Sequence, residues 1–265
     1  MLAFAFSNHL VINSVAQTTP EPAVDNQYQI GAILFHQKAA EYRALTYQAF
    51  NLARMRLDLD KQTSKNLSKA ERRKPRAIII DADETVLDNS PYQAEIAREN
   101  KAFSIEEFFD WKKSGKSKAV PGSVEFLNYA KKQGVDIFYV SNVPNSFKAV
   151  TIENLKQNGF PDAEPENVLL ITDTGSKEPR RQKVAETHRI IMLIGDSLND
   201  LSVVFEGKST AERFAETDKM KDDWGRKFIV VPNAMYGAWE NAIYENKRLS
   251  EAEKKEKRAN SLKTY

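Results

Sequence analysis

The sequence predicts an α/β fold in which helices cover both faces of a parallel β-sheet. From residue 76 onward, short apolar runs rich in β-branched residues alternate with amphipathic stretches. Strands that alternate with helices at this spacing are typical of parallel sheets. The composition, 41% hydrophobic and 29% charged residues, is that of a globular protein with enough apolar material for a core.

The N-terminal segment 1–16 contains no Lys, Arg, Asp or Glu and is interpreted as a possible signal peptide. Ser14 to Ala16 places small residues before Gln17, as a signal peptidase requires, although no basic region precedes the apolar stretch. The alternative is a frayed or mis-started N-terminus. If the segment is a signal, the protein is periplasmic or secreted. Residues 17–27 are interpreted as a flexible spacer because they contain Thr-Thr-Pro-Glu-Pro.

Residues 28–59 are predicted to form a long helix with one packing face, because apolar residues recur there at helical spacing. The segment 61–76 is rich in Lys and Arg but has no interleaved aromatic residues, so it is interpreted as a solvated basic linker. The formal net charge of the whole chain is only +2. We therefore expect no nucleic-acid partner.

The predicted strands and helices then follow in alternation. The apolar runs predict strands at 77–80, 136–140, 168–171, 190–194 and 228–231. The amphipathic stretches predict helices near 123–133, 146–158, 179–187 and 198–205.

Polar side chains follow the first four predicted strands, where ligands bind in parallel sheets. They are Asp81 and Asp83, Ser141 and Asn142, Thr172 and Asp173, and Asp196. Carboxylates, a hydroxyl and an amide that meet at one edge of a sheet predict a site for an anion and a metal ion.

Two acidic clusters carry the strongest signal. Asp81 and Asp83 stand one residue apart at the end of a buried strand, where unpaired carboxylates are costly. Asp196 and Asp200 follow Gly195, which is expected to let the backbone turn sharply. Either cluster alone could be a helix cap or an ion pair. Both together favour Mg²⁺, which prefers hard oxygen ligands.

Cysteine is absent and there are three histidines, which excludes disulfides, thiolate sites and a cysteine nucleophile. A histidine-based phosphatase is hard to build from so few histidines. A lipid anchor attached through an N-terminal cysteine is also excluded for this sequence.

Four segments resemble the bacterial class C acid phosphatases, outer-membrane or secreted acid phosphatases and 5′-nucleotidases of the haloacid dehalogenase (HAD) superfamily. They are DADETVLDNSPYQ, SKEPRRQ, GDSLND and PNAMYGAWE. The likeness runs from near Tyr42 to about Glu240 and implies a single domain over 28–265. Within it, the resemblance implies a Rossmann-like HAD core at 76–86 and 121–240 and a small helical cap built from 28–70 and 87–120.

The resemblance also implies a mechanism. Asp81 would be the nucleophile that forms an aspartyl-phosphate, and Asp83 would first protonate the leaving group and then deprotonate water. Asp83 must be protonated at the first step, which fits an acid pH optimum. The Asp81 side chain, the Asp83 carbonyl and Asp196 would bind Mg²⁺, while Asp200 would orient a metal-bound water or Lys177.

The phosphoryl oxygens would be held by Ser141, the Asn142 backbone N–H and Lys177. Nearby basic residues, Arg180, Arg181 and Lys183, could share the role of Lys177 or face solvent. Thr85 would either support the Asp83 loop by a hydrogen bond or cap the turn.

Substrate selection would involve the cap, since 87–120 is too long for a simple turn. The resemblance favours Trp111 and Tyr236 as a pair that stacks on a nucleobase, and Trp239 is a further candidate. Ordinary core packing is the alternative for each. The expected substrates are small phosphate esters, 5′-nucleotides above all, and the oligomeric state is left open.

Two other functions remain possible at this level. One is a different reaction on the same fold, such as dehalogenation or another HAD phosphotransfer, although a dehalogenase has no need of Asp83. The other is a non-catalytic binding or storage protein, which loss of the nucleophile would support. Asp81, Asp83, Lys177 and Asp196 are all present, so a hydrolase is the favoured prediction.

Overall fold

The structure is a computed structural model, and it describes residues 24–265. The predicted signal peptide, 1–16, and most of the predicted spacer lie outside the described residues. Export therefore stays a prediction. Within 24–265, no helix is at once long and apolar enough to cross a bilayer.

A five-stranded parallel sheet forms the centre of the fold, as the sequence predicts. Its strands are β1 (Arg76–Ile80), β4 (Val135–Pro144), β5 (Val168–Ile171), β6 (Arg189–Gly195) and β7 (Phe228–Val230). Their order across the sheet is β5-β4-β1-β6-β7, and all neighbours are parallel. A two-residue antiparallel pair, β2 (Leu87–Asp88) with β3 (Lys118–Ala119), stands apart from this sheet.

Twelve α-helices occupy the described residues. They are α1 (Ile30–Lys38), α2 (Ala40–Thr63), α3 (Lys69–Arg73), α4 (Ser90–Glu99), α5 (Ile105–Lys113), α6 (Ser123–Lys132), α7 (Lys148–Gln157), α8 (Glu178–Thr187), α9 (Leu198–Leu201), α10 (Thr210–Lys219), α11 (Ala238–Ile243) and α12 (Glu251–Asn260). The predicted helices near 123–133, 146–158 and 179–187 correspond to α6, α7 and α8. The one near 198–205 is shorter than predicted, and a 3₁₀ turn follows it.

The apolar sequence of the central strand β1 follows from its position, because both faces of the sheet are covered there. Ile78 and Ile80 pack into one hydrophobic cluster, together with Phe50 of α2 and Leu127 of α6. Ala77 and Ile79 point to the opposite face and pack with residues of α8 and α9. Strand β1 is the middle strand of the sheet, so Asp81 and Asp83, which follow it, lie at the centre of the edge formed by the carboxyl ends of the strands.

The predicted helix 28–59 is interrupted in the structure. Ala39 has an extended backbone (φ −77°, ψ 127°) and separates α1 from α2. The break lets α1 pack against α4 while α2 packs on α6 and on the strands β6 and β7. No Pro or Gly marks this position in the sequence, so the interruption follows from tertiary packing. The division into cap and core stays a prediction.

The basic segment after α2 contains the short helix α3. Ser68 and Glu71 form a reciprocal capping box at its start, in which Ser68 Oγ accepts from the Glu71 N–H. The Lys and Arg side chains of 61–74 are exposed to solvent.

Candidate active site

Asp81 lies at the carboxyl end of β1 and is held by a buried lysine. Its backbone N–H donates to the Ile194 carbonyl of β6 (2.9 Å), which fixes the start of the loop. Lys177, just before α8, forms an ion pair with Asp81 Oδ1 and a second with Asp200 Oδ1, at 2.7 Å. All three side chains are at least nine-tenths buried. One ammonium group therefore bridges two largely buried carboxylates.

Asp196 lies beside them at the end of β6 and is oriented through both of its oxygens. Thr85 Oγ1 donates to Oδ1 (2.9 Å), and Asn233 Nδ2 donates to Oδ2 (2.8 Å). Burial raises the pKa of Asp196 to about 6, and the charge of Asp200 adds to the rise, while the two hydrogen bonds oppose it. Thr85 thus joins the loop that carries Asp83 to Asp196 and orients the Asp196 carboxylate.

The carboxylates fit a divalent cation. Asp81, Asp196 and Asp200 each offer one oxygen, and these oxygens lie within 4.8 Å of one another. Burial raises the pKa of Asp81 well above its usual range, Lys177 opposes the rise, and the charges of Asp200 and Asp196 add to it. Three carboxylates, of which those of Asp81 and Asp200 are buried, lie around one lysine, so a hard cation would offset the excess negative charge.

Gly195 has a different use from the predicted sharp turn. Its φ is not in the left-handed region. A Cβ atom built at this position would lie 2.5 Å from both Cβ and Oδ2 of Asp200. Asp200 needs this close approach because its Oδ2 accepts from the Ser197 N–H (3.0 Å), which caps α9. The glycine therefore provides space for Asp200 beside the strand end.

Asp83 faces a different set of partners, although only one residue separates it from Asp81. Ser141 Oγ donates to its Oδ2 (3.1 Å), and Asn89 Nδ2 donates to its Oδ1 (2.9 Å). Lys112 forms an ion pair with the same Oδ1. Sequence reasoning missed Asn89 and Lys112: Asn89 stands within the first acidic motif, but no local signal distinguishes Lys112 from a surface lysine.

The basic residues beside Lys177 support the loops of the site. Arg180 donates from Nη1 to the Ser141 carbonyl and from Nη2 to Asn142 Oδ1, both at 2.6 Å. Arg181 is buried and donates from Nη1 to the Asp200 carbonyl (2.8 Å). Of these cations, Lys177 is the one in direct contact with Asp81. Lys183 is exposed on α8.

A cavity of about 730 Å³ opens above these groups. The predicted site residues that line it are Asp81, Asp83, Ser141, Asn142, Lys177, Asp196, Asp200 and Tyr236. Among the described residues, Thr85, Trp111, Trp239, Thr172 and Asp173 are not part of its lining. The structure therefore brings together the carboxylates and the phosphate-binding candidates, and it brings one of the three aromatic candidates with them.

The two favoured aromatic candidates have distinct surroundings. Tyr236 lines the cavity and donates its hydroxyl to the buried Glu84. Trp111 instead donates its indole N–H to Asn89 Oδ1 (2.9 Å). Phe103, which the sequence analysis did not single out, lines the cavity and is 54% exposed.

The outer wall of the cavity joins the first described residues to the last helix. Arg258 of α12 donates to Asp25 Oδ2 and to the Tyr244 hydroxyl, both at 2.8 Å, and stacks on the Tyr28 ring at 3.8 Å. Tyr28 and Tyr244 both donate to Glu240 Oε1. All five residues except Asp25 line the cavity.

A family model matches most of the chain. The model describes the HAD superfamily, subfamily IIIB (acid phosphatase), and it matches residues 7–239. Two plant proteins are also similar. "Acid phosphatase 1" of Solanum lycopersicum is 31% identical over 130 residues, which are 46% of this chain and 51% of that protein. A "Stem 31 kDa glycoprotein" of Glycine max is 30% identical over 145 residues, 49% and 54% respectively. The chain thus spans about half the length of these curated relatives.

Solved structures are similar over nearly the whole chain. The class C acid phosphatase from Bacillus anthracis superposes with a TM-score of 0.83 and is 39% identical, covering 91% of this chain and 98% of that one. A structure of the class C acid phosphatase from the same organism with tungstate bound gives a TM-score of 0.83 at 38% identity.

Proposed function

This chain belongs to the HAD superfamily, subfamily IIIB (acid phosphatase), and from that premise we propose that it is a Mg²⁺-dependent phosphoric monoester hydrolase whose preferred substrates are 5′-nucleotides. One observation carries the proposal most directly. Asp81, Lys177, Asp196 and Asp200 meet at the floor of a cavity large enough for more than a phosphate group.

Asp81 acts as the nucleophile. One of its carboxylate oxygens attacks phosphorus, the bond from phosphorus to the ester oxygen breaks, and an aspartyl-phosphate forms. The departing alkoxide takes a proton from Asp83, which lines the same cavity. Asp83 then removes a proton from water, the water oxygen attacks phosphorus, and inorganic phosphate leaves while Asp81 is restored. The need for a protonated Asp83 at the first step predicts an acid pH optimum.

A lysine and two neutral hydrogen-bond donors compensate the negative charge of the phosphoryl oxygens. Lys177 is already directed at Asp81, and Ser141 and the Asn142 backbone N–H lie at the cavity beside it. Asp81, Asp196 and the Asp83 carbonyl would hold Mg²⁺, which would supply further positive charge next to the phosphoryl group. Asp200 orients Lys177 by its ion pair. The tungstate of the related structure is a tetrahedral oxyanion like phosphate, which supports an oxyanion site here.

The nucleotide preference rests on the part of the cavity beyond the phosphate site. Tyr236 and Phe103 are aromatic residues of the cavity lining. A base that stacks on an aromatic ring gains about 1–3 kcal/mol. We assign Tyr236 to the base. Trp111 is not assigned to it, because its N–H is directed at Asn89.

Turnover of a 5′-nucleotide and of ribose 5-phosphate, with Mg²⁺ and with EDTA, tests the proposal. We expect metal-dependent phosphate release from both esters, a higher kcat/KM for the nucleotide, and loss of at least ~10³-fold in Asp81→Asn, because the nucleophile is removed. Asp110→Asn is the matched control, since the Asp110 side chain is 72% exposed and pairs with Lys113.

Three results would contradict the proposal. If the wild-type protein released no phosphate from either ester between pH 4 and 8, the non-catalytic binding protein would become the better interpretation. If phosphate release survived in Asp81→Asn, the nucleophile would be a different group. Equal rates with Mg²⁺ and EDTA would exclude the metal dependence.

A further inference from the structure

Lys112 is a buried cation that the mechanism so far does not use. Its side chain has no solvent exposure, and its ammonium group is paired with Asp83 Oδ1. Burying a charged ammonium is costly unless a charged partner is close and well placed. The backbone of Lys112 is also held in place, because its carbonyl accepts a hydrogen bond from Asn154 Nδ2 of α7 (2.9 Å). Helix α5 therefore holds one cation against the acid/base residue.

Asn89 brings a second contact to the same carboxylate, and its orientation is fully determined. Its Oδ1 accepts from two donors, the Trp111 indole N–H (2.9 Å) and Ser117 Oγ (2.8 Å). Two donors occupy both lone pairs of that oxygen, so the amide cannot flip without losing both. Its Nδ2 group must then point to Asp83 Oδ1, at 2.9 Å.

The two contacts have a common origin in α5. Trp111 and Lys112 are adjacent residues of this helix, and both reach the Asp83 carboxylate, one directly and one through Asn89. Ser141 holds the other oxygen of Asp83. The Asp83 side chain keeps 14% exposure, which leaves it accessible from the cavity.

We propose that α5 positions Asp83 for proton transfer, through Lys112 directly and through the Trp111–Asn89 hydrogen bond. The inference rests on the proposed function, because Asp83 is the acid and base of that mechanism. Lys112, Trp111 and Asn89 are positioning residues: they fix the rotamer of Asp83 and do not touch the substrate. Trp111 then serves through its N–H group, and a nucleobase is not its partner.

Trp111→Phe tests the role of the N–H group while keeping an aromatic ring. We expect kcat to fall on the order of 10- to 100-fold, because displacing a general acid by about 1 Å from its productive position lowers the rate by this much. The fall should be the same for a 5′-nucleotide and for ribose 5-phosphate, which has the same leaving alcohol and no base. KM should stay within about twofold for both esters.

Lys112→Met removes the charge at similar length, and Lys113→Met is its matched control, since Lys113 is adjacent but exposed and paired with Asp110. We expect the loss in kcat/KM on alkyl phosphates to be on the order of 10- to 100-fold for Lys112→Met and absent for Lys113→Met. For 4-nitrophenyl phosphate the loss should be below about threefold, because its leaving group departs without needing a proton.

Two measurements separate this role from a structural one. Trp224→Phe also removes an indole hydrogen bond, to the Thr217 carbonyl (2.8 Å), but its side chain is not part of the active-site cavity. It should lower the unfolding midpoint without changing kcat. Thermal unfolding of all variants shows whether each one is folded at the assay temperature.

Three outcomes would overturn the inference while wild-type turnover upholds the proposed function. The first is a loss in Trp111→Phe confined to the nucleotide and to KM, which would assign Trp111 to the base. The second is an equal loss on aryl and alkyl esters in Lys112→Met. The third is full activity in both variants. An inactive wild type would instead contradict the proposed function itself.

Discussion

At the scale of single residues, the site depends on how closely side chains approach one another. Gly195 and Asp200 are the clearest case, because Asp200 occupies the volume that a side chain at 195 would need. Asp200 in turn holds Lys177 and caps α9. A substitution at Gly195, which has no side chain, would therefore affect Asp81 through Asp200 and Lys177.

Gly195→Ala is expected to destabilise the fold by about 1–3 kcal/mol, because the new methyl overlaps the rigid Cβ of Asp200. It should also lower kcat, since Asp200 moves together with Lys177. Gly31→Ala is the control: Gly31 lies in α1, and a Cβ at this position would meet no atom within 4 Å, so alanine should stabilise by about 0.5–1 kcal/mol. Urea unfolding and steady-state rates check both, and equal effects of the two changes would contradict this account.

The sequence predicted some of these residues and could not have predicted others. Asp81, Asp83 and Asp196 follow buried strands, so their position along the chain predicts that they meet. Lys112 lies on an amphipathic helix among other charged residues, where a lysine is normally solvated. Its burial depends on Asp83 and α7, which only the folded chain brings to it.

At the scale of elements, the first turn of α8 connects the phosphate site to the metal site. Glu178 accepts from Nε and Nη2 of Arg181, at 3.0 and 2.6 Å, and Arg181 donates onward to the Asn199 and Asp200 carbonyls. The end of α9 is thereby tied to the start of α8, where Lys177 lies. Burial raises the pKa of Glu178, but the hydrogen bonds and charge of Arg181 outweigh it and hold the pKa below its usual value.

Glu178→Gln is expected to lower the stability at pH 7 by about 0.5–1 kcal/mol, as is usual for a partly exposed ion pair. Because the folded protein lowers this pKa, the carboxylate stabilises the fold above the ordinary value of 4.5, and the contribution is lost as the pH falls below it. The difference between wild type and variant should therefore shrink between pH 6 and pH 3. Urea unfolding across this range is the measurement, with the exposed Glu186→Gln of the same helix as control. A difference independent of pH would refute the explanation.

Elements were predicted well where local pattern and tertiary packing agree. Most residues of the five strands are buried or half-buried, so each strand contains an apolar run that is visible in the sequence. The break at Ala39 was missed because it depends on two helices that pack against different partners. Nothing in the local sequence distinguishes that alanine from its neighbours.

At the scale of the whole molecule, the cavity wall is assembled from distant parts of the chain. Arg258 joins α12 to Asp25, Tyr28 and Tyr244 by two hydrogen bonds and a stacked contact. The sequence analysis assigned no role to the lysine-rich C-terminal region. The contribution of α12 to the cavity could not be predicted, because the partners of Arg258 lie more than two hundred positions away or in the turn just after α11.

Arg258→Ala is expected to loosen α12 and leave the catalytic groups in place. Two hydrogen bonds of a charged group are lost, so the opening free energy measured by amide exchange in α12 should fall by about 2 kcal/mol. KM should rise severalfold and kcat should change little. Lys255→Ala, an exposed residue of the same helix, should change neither quantity. Unaltered exchange in α12 would show that Arg258 does not hold the helix.

The separation of these partners along the chain also has a consequence for biosynthesis. Asp25 and Arg258 are 233 positions apart, and Tyr28 and Glu240 are 212 apart. A ribosome makes every strand of the sheet before it makes α12. The nascent chain can therefore assemble its carboxylates while one side of the cavity is still open, and it gains that wall only when translation has passed residue 260. A polypeptide truncated by a premature stop codon before α12 would keep the reacting groups and lose the part of the cavity wall that α12 supplies.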